Sequence, residues 1–314
     1  MKFKVIFFPI LLAVIFSCKK ETLAEIPTKT NPNLNYYGFT LIDVGWDDPQ
    51  DKEIKVNYLD EVSAFTNMAD ILVAEPADNL VGRVQAMNTQ GVKAMLHLHE
   101  LFFYQTGTSE GVNSGLIYSL RIDYQQRWND FKQINLSVLN SGSIACFYIG
   151  EEPAWNGISE ADFTLATDYV KSTIADVKIL TVEAYPALDI MYAPSSVDWI
   201  GFDHYFLPEP SSDATFIQEY QKLSSLRKVN QKIILIMDSH WIKYFHGSAG
   251  ISKSDMDFIA RDYYTLANSD TNVAGIIGYF WPGGFDNEKS LGARNLPDNV
   301  LEEYKKIGKQ ITGK

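Results

Sequence analysis

The chain has 314 residues, 46% of them hydrophobic and 21% charged. That suits a globular protein and leaves room for a full α/β barrel of roughly 250 residues. A net charge of −12, with no basic stripe, argues against a nucleic-acid partner.

The first 17 residues read as a targeting segment. Lys2 and Lys4 form a basic head, and residues 5–16 are an apolar run too short for a usual membrane span. The run ends at Ser17-Cys18-Lys19-Lys20, which looks like a bacterial lipoprotein signal. It implies lipidation of Cys18 and a secreted protein anchored to the cell envelope, at the outer membrane, on its periplasmic or surface face. Residues 18–35 are polar, carry Pro27 and Pro32, and read as a tether. Cys146, the other cysteine, lies in an apolar run and reads as a small core residue.

From residue 36 on, short apolar runs alternate with amphipathic stretches, and residues 36–314 read as one domain. Strands are expected at 37–43, 71–75, 93–99, 144–150, 179–183, 199–203, 233–238 and 276–280. Helical patterns cover 120–139, 160–174, 214–229, 254–266 and 299–311. Such alternation implies parallel βαβ units, and eight strands imply a closed (β/α)8 TIM barrel of the α/β class. No Gly-x-Gly-x-x-Gly follows a strand, which lowers the dinucleotide-binding reading, and no cofactor is assigned.

Barrel enzymes place their chemistry where strands end. Those ends are rich here in carboxylates, histidines and aromatics: Asp43 and Trp46 after the first strand, and His97 and His99 on the third. Glu151-Glu152-Pro153 ends the fourth and Glu183 the fifth. Asp203-His204-Tyr205 follows the sixth, Asp238-Ser239-His240-Trp241 the seventh, and Tyr279-Phe280-Trp281 the eighth. Residues two apart on a strand share a face. Cys146, Tyr148, Gly150 and Glu152 therefore share one face, and Phe147, Ile149 and Glu151 the other. With the bulky face toward the helices, Glu152 is expected to point into the barrel mouth, and Glu151 is read as a rim ion-pair residue. Pro153 stops the strand and biases Glu152 toward extended backbone.

This arrangement resembles the clan of barrel glycosidases whose acid/base is a Glu before Pro after strand four and whose nucleophile ends strand seven. The resemblance spans about residues 36–312. It implies carbohydrate as substrate, Glu152 as acid/base and Asp238 as nucleophile or base. His97, His99, Glu183, Asp203, His204, Tyr205, His240, Trp241, Tyr279, Trp281, Trp46 and Asp43 are then expected to hold substrate. The clan has Asn where this chain has Glu151, and Glu where it has Asp238. The shorter side chain leaves retention or inversion open, and Glu183 or Asp203 could replace Asp238 as the partner. Two rivals stand beside this reading. One is a metal-dependent barrel hydrolase using His97, His99, Asp203, His204, Asp238 and His240. The other is a lipid-anchored glycan-binding protein without catalysis.

Overall fold

The computed structural model describes residues 25–108 and 114–314. The proposed signal and Cys18 lie outside the described residues. In chain order the elements are β1 (Tyr36–Asp43), α1 (Leu59–Val62), β2 (Met68–Leu72), α2 (Val81–Thr89), β3 (Lys93–His97) and α3 (His99–Phe102). Then come β4 (Phe103–Thr108), β5 (Leu116–Leu120), α4 (Tyr124–Asn135), β6 (Ile144–Glu151), α5 (Glu160–Thr173) and β7 (Lys178–Ala184). The series ends with β8 (Trp199–Asp203), α6 (Ala214–Leu226), β9 (Lys232–Asp238), α7 (Phe245–Ser248), α8 (Met256–Ser269), β10 (Val273–Tyr279) and α9 (Asp298–Thr312).

Eight parallel strands close in the order β1-β2-β3-β6-β7-β8-β9-β10, so the chain is a (β/α)8 barrel. Its strands are buried on both faces, as parallel strands between helices and a packed interior must be. On β9, Ile233, Leu235 and Met237 belong to the layer under the helices, while Ile234 and Ile236 fill the interior. On β6, Phe147 and Ile149 face the helices, and Cys146 and Tyr148 face inward. The period-2 reading holds on β9 and, on β6, from Cys146 to Ile149.

Four sequence expectations shift. The second strand begins at Met68, because Met68 pairs with Gly38 and Lys93. It stops at Leu72, because the backbone N–H groups of Ala74 and Glu75 turn to Asp78 Oδ2. The helix expected over 120–139 spans Tyr124–Asn135, and its expected first residue, Leu120, instead ends β5, which pairs antiparallel with β4. Non-local pairing overrides local helical pattern there. His99 opens a short helix rather than closing β3. Finally, the later part of the expected tether is docked. Leu34 and Asn31 are buried, and Asn31 Nδ2 donates to the carbonyls of Ala267, Asp270 and Val273. These contacts lie where β10 begins, at the end opposite the strand C-termini.

Candidate active site

A cavity of about 510 Å³ opens at the C-terminal ends of the barrel strands. That volume falls in the usual range for ligand sites, roughly 300–1,000 Å³. Its apolar lining comes from interior positions, among them Met95, Leu180, Val182, Ile236 and Ile277. Its polar wall carries His97, His99, Glu100, Glu151, Glu152 and Asp203, with Tyr118, Tyr148, Tyr205 and Tyr279 as aromatic sides. Phe285 and Asp286 close the side beyond β10.

Glu152 reaches this wall through a local irregularity. The pairing of β6 with β7 shifts between Tyr148 and Gly150. Gly150 suits the tight spot, because a Cβ there would lie 2.1 Å from Thr181 Oγ1. The extra residue breaks strict alternation, so Glu151 and Glu152 both line the cavity. Glu151 is therefore a cavity residue rather than the rim residue expected. Its Oε2 lies 3.6 Å from His97 Nε2. Glu152 itself has φ of 45°, a conformation costly for a side-chain-bearing residue and held only when the surroundings over-determine it. The restraints are visible: Glu152 N donates to Val182 O at 2.8 Å, and Asn156 N donates back to Glu152 O at 2.9 Å. Glu183 accepts the N–H groups of Ala154 at 2.9 Å and Trp155 at 3.0 Å.

The carboxylates at the strand ends thus divide into two kinds. One kind holds loops. Glu183, 0% exposed, holds the turn after Glu152 and does not line the cavity. Asp70 accepts from Leu41 N and Ile42 N, fixing Leu41 at φ 62°. Asp238, 1% exposed, accepts from Phe206 N at 2.8 Å and contacts His246 Nε2 at 3.1 Å, fixing Phe206 at φ 68°. The other kind faces the cavity: Glu100, Glu151, Glu152, Asp203 and Asp286, while Asp70 lines it as well as holding its loop. Asp238, expected as the partner of Glu152, lies outside the cavity lining, because its oxygens are spent on Phe206 and on His246, with His240 Nδ1 3.3 Å away.

Asp203 is the carboxylate brought to Glu152: the two side chains share a hydrogen bond. Burial is the main reason the Glu152 carboxyl is pushed up to about 8, with the charges of Glu151 and Glu183 adding to it. Asp203 is raised well above the ordinary carboxylate range, first by burial and then by Glu152. Glu183 is pushed up to about 7 by burial, against the pull of its backbone N–H partners. Asp238 goes the other way. Burial works to raise it, but the hydrogen bond from His246 and the neighbouring His240 outweigh that, and it sits below its usual value. His99, 4% exposed, is pushed down to about 3 by burial and by His97, so its ring is neutral.

Of the residues expected to hold substrate, His97, His99, Asp203, Tyr205 and Tyr279 line the cavity. The others serve its surroundings. Trp281 is 3% exposed, packs on Phe39, and donates to Glu61 Oε2 at 2.7 Å, so it is core rather than a sugar platform. Trp46 donates to Gly283 O and meets Phe285 edge-on, one layer behind the wall. Trp241 donates to Ile251 O, outside the cavity. His204 is paired with Glu219 at 2.7 Å and stacked on Tyr185. His240 packs behind Tyr205 and Tyr279, and Asp43 is bound to Arg83 at 2.8 Å. Tyr118, Asn156, Phe285 and Asp286 were not foreseen. They come from loops and from the β4–β5 pair, where strand periodicity gives no signal; Tyr148 was legible from its parity with Glu152.

The metal-hydrolase set does not converge: His97, His99 and Asp203 line the cavity, while His204, Asp238 and His240 lie behind its wall. Among the described residues, no group of three or more His, Cys, Asp or Glu side chains could hold a metal ion.

No family model and no curated protein sequence matches this chain. Solved structures do. A GH113 beta-1,4-mannanase is similar over 86% of this chain and 99% of its own, at 10% identity and TM-score 0.55. Native xylanase 10B from Thermotoga maritima is similar over 89% of this chain and 97% of its own, at 13% identity and TM-score 0.52. An Anoxybacillus alpha-amylase is similar over 90% of this chain and 79% of its own, at 10% identity and TM-score 0.57. What these likenesses share with the chain is the fold: an eight-stranded parallel barrel of the kind on which glycoside hydrolases are built.

Proposed function

We propose that the protein is a glycoside hydrolase with Glu152 as its general acid. The observation that carries this is the hydrogen-bonded pair Glu152–Asp203 in an acid-lined, aromatic-walled cavity at the strand C-termini. Two carboxyl groups can share such a bond only while one holds a proton, and burial keeps that proton on the pair at neutral pH. A protonated carboxyl at neutral pH is what departure of a glycosidic oxygen requires. In the proposed step the pair's proton passes to that oxygen as its bond to the anomeric carbon breaks. The carboxylate left behind stabilises the positive charge growing on the sugar. Glycoside hydrolysis also needs a carboxylate on the opposite face. Hydrogen-bonded carboxyls are nearer than the roughly 5–5.5 Å of a retaining pair, so Asp203 shares the proton and does not serve as that group. Asp286 suits the role: β10, which precedes it, lies four strands round the ring from β6. It would draw a proton from water as that water adds to the anomeric carbon.

We also propose that a lipid on Cys18 holds the barrel at the cell envelope. Fatty-acid labelling of wild type but not of Cys18→Ala would support this, and equal labelling would reject it. The hydrolase reading is tested by reducing-sugar release from a broad polysaccharide panel, with Glu152→Gln alongside. Release by wild type alone is expected. Equal release by both proteins would reject Glu152, and no release from any glycan would reject the hydrolase reading.

A further inference from the structure

Beyond cleaving a glycan, the cavity carries information about which sugar it takes. Glu100, Glu151, Glu152, Asp203 and Asp286 line it, as does Asp70 with its oxygens on the N–H groups of Leu41 and Ile42, and no lysine or arginine does among the described residues. The proposed chemistry uses Glu152, Asp203 and Asp286. Glu100 and Glu151 are extra negative charges in the same space. An apolar floor of Met95, Leu180, Val182, Ile236 and Ile277 lies beneath them, and low-dielectric walls strengthen the field of such groups.

A second observation points the same way. His99 is 4% exposed and lines the cavity, and its Nδ1 has no hydrogen-bond partner. The ring is neutral and bonds to the backbone of Ile149, whose carbonyl takes the ring's one N–H. Nδ1 is then a buried lone-pair acceptor that no donor among the described residues meets. The stacked rings of Tyr205 and Tyr279, 5.2 Å apart and nearly parallel, add π-faces to the same wall. Carboxylates, a free imidazole lone pair and aromatic faces all favour a donor-rich cation.

We infer that the sugar unit held in this cavity carries a free ammonium group, as a de-N-acetylated amino sugar does, and that uronic acids are excluded. The inference rests on the glycan-directed reading of the cavity and narrows its substrate class. An ammonium would neutralise the surplus of carboxylates, whereas a uronate would add to it.

Calorimetric titration of the full protein at pH 7 with monosaccharides tests this without requiring turnover. Glucosamine and galactosamine are each compared with glucose, galactose, their N-acetyl forms and glucuronic acid. At least tenfold tighter binding of one amino sugar than of its hydroxyl parent is expected, with no binding of glucuronic acid. The advantage should shrink as salt rises from about 0.05 to 0.5 M, and in Glu151→Gln checked for an unchanged melting temperature. Equal affinity for amino and hydroxyl sugars, tighter binding of glucuronic acid, or no amino-sugar binding up to about 50 mM would overturn the inference. An amino-sugar preference without hydrolysis of any glycan would sink the enzyme reading alone. Hydrolysis of neutral glycans without that preference would sink this inference alone.

Discussion

Glu152, on the turn after β6, and Asp203, at the end of β8, share a hydrogen bond between two carboxyl groups. One proton is therefore resident in the cavity, held by burial and by the charges around it. The pair titrates as a unit, and the proton belongs to both oxygens' surroundings rather than to one residue.

Removing the proton carrier should stop the chemistry and leave the fold intact. Glu152→Gln keeps the size and hydrogen-bonding reach of the side chain, and a fall of about 10²–10⁴ in kcat is expected. Steady-state kinetics with circular dichroism checks both halves. A variant that melts at a much lower temperature would show that Glu152 is structural.

The pH dependence follows from the raised carboxyls. Glu152 binds its proton up to about pH 8 when folded, so acid-dependent activity should decline above that point. The charge of Glu151 helps hold it there, so Glu151→Gln should move the alkaline limb to lower pH. An unmoved limb in that variant would mean that another group sets it.

Stability should change with pH in the same sense. Glu152 and Glu183 hold protons more tightly folded than unfolded, so their contribution is full below the unfolded value near 4.5 and is lost as pH rises through about 7 and 8. Melting temperature should fall between pH 5 and 8.5, and Glu152→Gln should flatten the fall. Each kcal/mol is worth roughly 2–4 °C in a chain of this order of size. A fall in wild type no larger than in the variant would remove Glu152 as its source.

Glu183 holds the turn after Glu152 and lies outside the cavity lining, so it is expected to act through Glu152. Glu183→Gln can accept fewer of the N–H groups of Ala154 and Trp155, at a cost of about 1–3 kcal/mol for a buried donor left unpaired. A lower kcat with nearly unchanged KM is expected. A rise in KM alone would return Glu183 to the substrate-binding role.

Asp238 offers a sharp contrast. Its carboxylate holds Phe206 and His246 in a buried cluster. Asp238→Ala should destabilise by about 3–5 kcal/mol, as removal of one partner of a buried pair does. Urea unfolding measures it. Full stability with complete loss of activity would instead mark Asp238 as the nucleophile.

How far the site was legible follows from which residues periodicity can reach. Asp203 and Tyr148 follow the inner parity of β8 and β6, so their places in the cavity agree with strand alternation. Glu152 arrives in the mouth, but with φ of 45° and a register shift before it, rather than by simple alternation from extended backbone. Asp238 shares the parity of Ile236 and yet turns away, because Phe206 from the loop after β8 and His240 and His246 from the loop after β9 claim it. Trp281 and Trp46 follow or lie near strand ends as sugar platforms do, but Glu61 and Gly283 take their indole N–H groups.

By itself, the amino-acid order determined the eight-stranded barrel and the end at which carboxylates, histidines and aromatics gather. Both follow from local alternation of apolar runs with amphipathic helices, and a closed parallel barrel buries such strands on both faces. Only the tertiary structure decided which carboxylates face the cavity and which hold loops. That choice depends on backbone N–H groups delivered from distant strands and turns, and a carboxylate goes where those donors leave it least unsatisfied.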